Sequence, residues 1–133
     1  MKKLFHFDAP RDKCHCDATI KIAGGAKVLA SPEHESDREF DPDQIRKFIR
    51  WHSTKRVILM LLSDCGAYGG LAAGFHDDAD AEAVHHEPEL HRAAANLRTA
   101  TPGVEVQGYF VNFEGIWNAE IGIGNGFQEA TAA

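Results

Sequence analysis

The sequence predicts an α/β domain: a mostly parallel sheet of about four strands with flanking helices. Short apolar runs at Lys3–Phe7, Thr19–Ile22, Arg56–Leu62 and Val104–Val111 alternate with segments of helical periodicity, the pattern of strand–helix–strand units. After its first residue the run "RVILMLL" is unbrokenly apolar, as suits a parallel strand covered on both faces. A length of 133 residues, 44% hydrophobic and 26% charged, is enough for a single domain over residues 1–133 with its own core.

In chain order, Lys3–Phe7 is an aromatic-rich first strand that ends at Asp8-Ala9-Pro10. Thr19–Ile22 is a second, closed by Ala23-Gly24-Gly25, where glycine permits a turn or a close backbone approach. Ser31–Phe40, "SPEHESDREF", is polar and loop-like. Asp41 can cap the next helix, with Pro42 at its first position and Gln44 three residues after the cap. Ile45, Phe48, Ile49 and His52 then share one helical face, and Ser53-Thr54 ends it. Arg56–Leu62 is the central strand. Leu71–Val84 is acidic and alanine-rich, a loop or short helix. Pro88 can start another helix with Leu90, Ala93, Ala94 and Leu97 inward, stopped by Thr101-Pro102-Gly103. Val104–Val111 is the last clear strand and Ile116–Ile121 an edge piece. The tail "GIGNGFQEATAA" is expected to be loose or to lie against a partner subunit.

Charge and composition exclude some functions. A net charge of −6 with scattered basic residues argues against nucleic acid as a partner, which needs a concentrated Lys/Arg face. No apolar run is long enough to cross a membrane and the N-terminal stretch lacks a signal-peptide segment, so a cytoplasmic location is expected. The three cysteines, Cys14, Cys16 and Cys65, are an odd number in such a chain and read as free thiols or metal ligands. Eight histidines raise the metal question further.

Ligands of parallel α/β sheets sit beyond the carboxyl ends of strands. Two stretches lie at such ends, His6-Phe7-Asp8 and Asp64-Cys65-Gly66, so one crevice could receive an imidazole, two carboxylates and a thiol. Plainer roles exist for each. Cys65 could be an inert buried thiol, His6 a core histidine, Asp8 a turn cap and Arg11 a solvated charge. Cys14 and Cys16 could be loop thiols, His85, His86 and His91 helix decoration, and Tyr68 with Gly69-Gly70 the makers of a tight turn.

Four stretches in order resemble the β-class carbonic anhydrases, in particular their small compact relatives. "DATIKIAGGAKVL" is similar to the family's strand ending in Ala-Gly-Gly, and "RVILMLLSDCGAYGG" to its strand ending in His-x-x-Cys-Gly. "HHEPELHRAAANL" is similar to the following helix and "VEVQGYFVNFEG" to the last strand. The resemblance implies a dimer or larger homo-oligomer and reversible hydration of carbon dioxide to bicarbonate. It also implies a zinc ion held by Cys-x-Asp-x-Arg and His-x-x-Cys, zinc lowering the pKa of a bound water to about 7. Carried over, Cys65 takes the second cysteine position and His6 stands where the first would be. Asp8, with Arg11 one residue late, would orient the hydroxide. Position 62, where the ligand histidine belongs, is Leu62. A third ligand would come from Cys14 or Cys16, or from His85 or His86. Two alternatives stand beside this: a degenerate homologue without catalytic zinc, and a cysteine nucleophile in which His6 activates Cys65.

Overall fold

The computed structural model describes residues 19–119 and 127–129. Its architecture follows from the run Arg56–Leu62, which forms strand β1. Leu59 and Leu61 on one face of the pleat are buried, while Ile58 and Met60 on the other are partly exposed and Leu62 is 55% exposed. Strand β2 (Glu105–Asn112) lies parallel beside it, Arg56 opposite Glu105 and Leu62 opposite Val111. Strands β3 (Gly115–Ala119) and β4 (Phe127–Glu129) complete the order β1-β2-β3-β4, so among the described residues the strand expected to be central stands at one end of the sheet.

Only the first of these pairings is parallel; β2–β3 and β3–β4 are antiparallel. The expected mostly parallel sheet is therefore corrected to a mixed one. The cause is local. Asn112 Oδ1 accepts hydrogen bonds from the backbone N–H of Glu114 and Gly115 and from Trp117 Nε1, each at 3.0 Å. Such an Asx turn closes a hairpin where a crossover would be needed for a parallel neighbour. The segment read as an edge piece is thus an interior strand, and part of the supposed loose tail is the strand that pairs with it.

The helices pack on one face. Helix α4 (Ala79–Ala100) crosses β1, β2 and β3 and also meets the short helix α1 (Lys27–Ala30), against which α2 (Asp37–His52) leans. Leu90, Ala93, Ala94 and Leu97 of α4 are fully buried with Leu59, Leu61, Val106, Phe110, Leu29 and Ile45. Burying each such leucine contributes roughly 1.5–3 kcal/mol. Among the described residues the opposite sheet face carries no helix, so β1 is covered on one side rather than two.

Three further expectations change. Thr19–Ile22 enters no ladder among the described residues; Ile22 instead accepts from Gly25 N at 3.1 Å in a turn that leads into α1. Helix α2 begins at Asp37, so Pro42 lies inside it and the loop-like stretch is shorter than read. Helix α4 begins at Ala79, capped by Asp78 Oδ1, which accepts from Asp80 N and Ala81 N at 3.0 Å each. Pro88 is therefore interior. Proline removes the donor for the carbonyl four residues earlier, here that of Val84, an exposed residue of the helix.

Candidate functional site

Beyond Leu62 the chain turns sharply through Ser63 and Asp64 into a 3-10 turn, Gly66–Tyr68, and the short helix α3 (Gly70–Phe75). Asp64 adopts the left-handed conformation, φ 57°, which costs a non-glycine residue about 1–2 kcal/mol. It recovers part of that through Oδ1, which accepts from Leu71 N at 2.7 Å. The carbonyl of Cys65 accepts from Tyr68 N and Gly70 N, each at 3.0 Å. Cys65 is thus held in a knot of backbone bonds, its free thiol half-buried at the carboxyl end of β1.

The Ala23–Ala26 turn closes over the same rim. Ala26 N donates to the carbonyl of Met60 at 3.1 Å. A Cβ on Gly25, at φ 55°, would stand 2.5 Å from that carbonyl oxygen, and one on Gly24 would stand 3.0 Å from the Cβ of Ala67. Glycine is required here because the turn lies directly on the backbone of β1 at Met60 and close against Ala67. Beside them a cavity of about 160 Å³ is lined by Ala23, Lys27, Val28, Pro32, Glu33 and Ala67.

The floor comes from the first half of α4. Glu89, 4% exposed, accepts from Ser31 Oγ at 2.5 Å, Tyr68 Oη at 2.9 Å and Arg92 Nη1 at 2.6 Å. Burial pushes its carboxyl up, but those two hydroxyls and the Arg92 charge outweigh it and hold Glu89 below the usual carboxylate range. Burial, followed by the bond to Glu89 and that group's charge, raises the Tyr68 phenol far above its ordinary value, so it remains a neutral donor. Lys27 Nζ sits 5.3 Å from the Tyr68 ring centroid. Glu82, 1% exposed, accepts from Ser63 Oγ at 2.6 Å and Asp64 N at 2.7 Å.

Between the two glutamates lies His86, 0% exposed. Neither ring nitrogen has a hydrogen bond of ordinary geometry; Glu82 Oε1 stands 4.0 Å from Nε2. Its ring packs against Tyr68, Phe75 and Phe110, with centroids 4.5, 5.7 and 5.3 Å away. Burial lowers its pKa, with the carboxylates of Glu82 and Glu89 pulling the other way. His86 is therefore a core residue and not a decoration of the helix. His85 is exposed and meets the Tyr68 ring edge-on at 5.5 Å.

Of the residues assigned to the site, Cys65 stands at this rim, whereas His6, Asp8, Arg11, Cys14 and Cys16 lie outside the described residues. Among the described residues no group of three or more His, Cys, Asp or Glu could hold a metal ion. Zinc takes three or four such ligands, and Leu62 coordinates nothing. The described donors therefore do not by themselves fit a zinc centre; His6, Cys14 and Cys16 would have to complete one. Sequence reasoning missed Ser31, Ser63, Glu82 and Glu89. The signal was there: the buried stripe Leu90, Ala93, Ala94 and Leu97, continued toward the N-terminus at helical spacing, runs through 89, 86 and 82.

Comparison with protein-family models, with curated proteins and with solved structures finds no match to this chain. Among the described residues no helix is long and apolar enough to cross a membrane.

Proposed function

We propose that the chain is a carbonic-anhydrase-like protein with its site at the carboxyl end of β1 and carbon dioxide/bicarbonate as its substrate pair. It works in the cytoplasm as a homodimer or higher homo-oligomer. One observation carries the reading: the Ala-Gly-Gly turn lies against the strand-and-turn stretch that bears Cys65, both of them stretches that resemble the family, with Ala26 N on the Met60 carbonyl of β1 and Gly24 close to Ala67. The half-buried thiol of Cys65 stands there on a bed of hydrogen-bonded glutamates. Zinc at this rim would take Cys65 with donors from the first eighteen residues, His6 and one of Cys14 and Cys16. Asp8 and Arg11 would orient the bound hydroxide.

A second reading, a homologue that holds no catalytic zinc, is favoured by Leu62. Its side chain is 55% exposed at the position where the family pattern has a histidine. The two are separated by measuring zinc per chain in protein purified without chelator, followed by stopped-flow carbon dioxide hydration. The enzyme reading expects about one zinc per chain and a rate that rises with pH. A zinc-free, inactive chain establishes the second reading. A Leu62→His, His6→Cys double variant that gains both zinc and turnover would locate the defect in those two positions.

A further inference from the structure

A carboxylate buried in an apolar layer is costly unless its oxygens are fully satisfied, so the partners of a buried glutamate show what it holds in place. Glu82 is 1% exposed and both its oxygens are used: Oε2 by the hydroxyl of Ser63, Oε1 by the backbone N–H of Asp64. Both donors belong to the two residues immediately before Cys65. The imidazole of His86 stands 4.0 Å from Glu82 Oε1 and burial lowers its pKa, so the hydrogen bonds of Glu82 go to the turn rather than to a charge partner.

Packing does little of this work. Leu62 and Asp64 are exposed, and Ser63 and Cys65 only half-buried, so the segment is not pinned by apolar neighbours. Its backbone is also strained at Asp64, φ 57°, and strain persists only where surrounding bonds enforce it. Beside the backbone bonds of Ser63 N to the Val111 carbonyl and of Tyr68 N and Gly70 N to the Cys65 carbonyl, the side-chain bonds that enforce it are the two Glu82 accepts on one side and the one Asp64 Oδ1 accepts from Leu71 N on the other. Together they bracket the thiol.

We infer that Glu82 is the positioning residue of the Cys65 site, holding Ser63 and Asp64 from helix α4 so that the thiol is presented in one fixed place at the end of β1. The inference rests on Cys65 being the working group of the site, as proposed above. Glu82 touches neither substrate nor the thiol; it acts through the turn. Its removal should free Asp64 to relax and leave Cys65 open to reagents that the fixed turn now restrains.

The test is the rate of alkylation of Cys65 by iodoacetamide in the full-length protein, resolved by site with peptide mass spectrometry. It is run with EDTA present so that metal does not shield the sulfur, and well below the thermal transition of each variant. Glu82→Ala should raise the rate at least fivefold. Glu82→Gln, which keeps an acceptor for Asp64 N, should fall between it and the parent. A purely structural glutamate would lower the melting temperature of both and leave the rate in the folded protein unmoved. Should Glu82→Ala not fold, Ser63→Ala removes one of the two bonds from the turn side. A rise of twofold or more in the folded variant upholds the inference, and a smaller change overturns it. The readout is independent of catalysis: a zinc-free, inactive protein ends the functional proposal without altering this result. An unmoved thiol in a zinc-loaded, active protein ends the positioning role alone.

Discussion

Gly25→Ala is the sharpest probe of the contact that builds the site. At φ 55° an alanine pays the left-handed penalty of about 1–2 kcal/mol. Its Cβ would also stand 2.5 Å from the Met60 carbonyl oxygen, a distance real Cβ atoms do not reach. Backbone cannot swing aside as a flexible side chain would, and overpacking of this kind typically costs about 1–3 kcal/mol. The loss should be about 2–5 kcal/mol, set against the ~5–15 kcal/mol that ordinarily separates folded from unfolded chains. At roughly 4 °C per kcal/mol for a domain of this size, the melting temperature should fall by about 8–20 °C. Gly66→Ala supplies the control, because its φ is not positive and a Cβ there meets nothing within 4 Å; its effect should stay within about 0.5 kcal/mol. Calorimetry or urea titration on the two variants side by side decides the matter. Equal stability of Gly25→Ala and the parent, or equal damage from Gly66→Ala, would refute the argument that the Ala23–Ala26 turn seats directly on β1.

Acid should destabilise the fold through His86. His86 has its folded pKa depressed below 6.5, so its contribution is complete above that value. As pH falls below it, the unfolded chain binds a proton the folded one refuses, a loss of up to about 1.4 kcal/mol per pH unit. Urea midpoints at pH 7.5 and 5.5 should therefore separate more in the parent than in His86→Phe; equal separations would contradict it. In the core, Leu90→Ala, with its side chain fully buried, should cost about 3–5 kcal/mol. Leu62→Ala, exposed on the sheet face that carries no helix among the described residues, should cost under about 0.5 kcal/mol. A large loss from Leu62→Ala would mean that this face is covered in solution.

Legibility in the sequence followed the range of the forces involved. β1 was readable to the residue because an apolar run bounded by polar residues is a local pattern. The start of α4 was not, because Pro88 imitates a first-position proline; the true cap, Asp78, sits well before it. Strand direction was missed for a related reason. Alternation marks a strand but not its neighbour, and the deciding group was a single acceptor, Asn112 Oδ1, with its three donors. At the site, Cys65 and the glycines announced themselves as a strand end of unusual composition. Glu82 and Glu89 were marked only by the buried stripe of α4 carried back through position 86, since acids on a helix ordinarily face water and their burial depends on hydroxyls contributed from distant parts of the chain.

Helix α4 has two trades along one axis. Its second half seats apolar side chains in the interior; its first half carries the glutamates that hold the thiol-bearing turn. Both sets of side chains belong to one helix, so a rigid shift of α4 forced by a change of volume beneath Leu97 would carry Glu82 with it. Interior substitutions that leave the fold intact can for that reason retune the rim, and variants selected for altered chemistry at Cys65 should turn up among small residues such as Ala93 and Ala94 as readily as beside the sulfur itself.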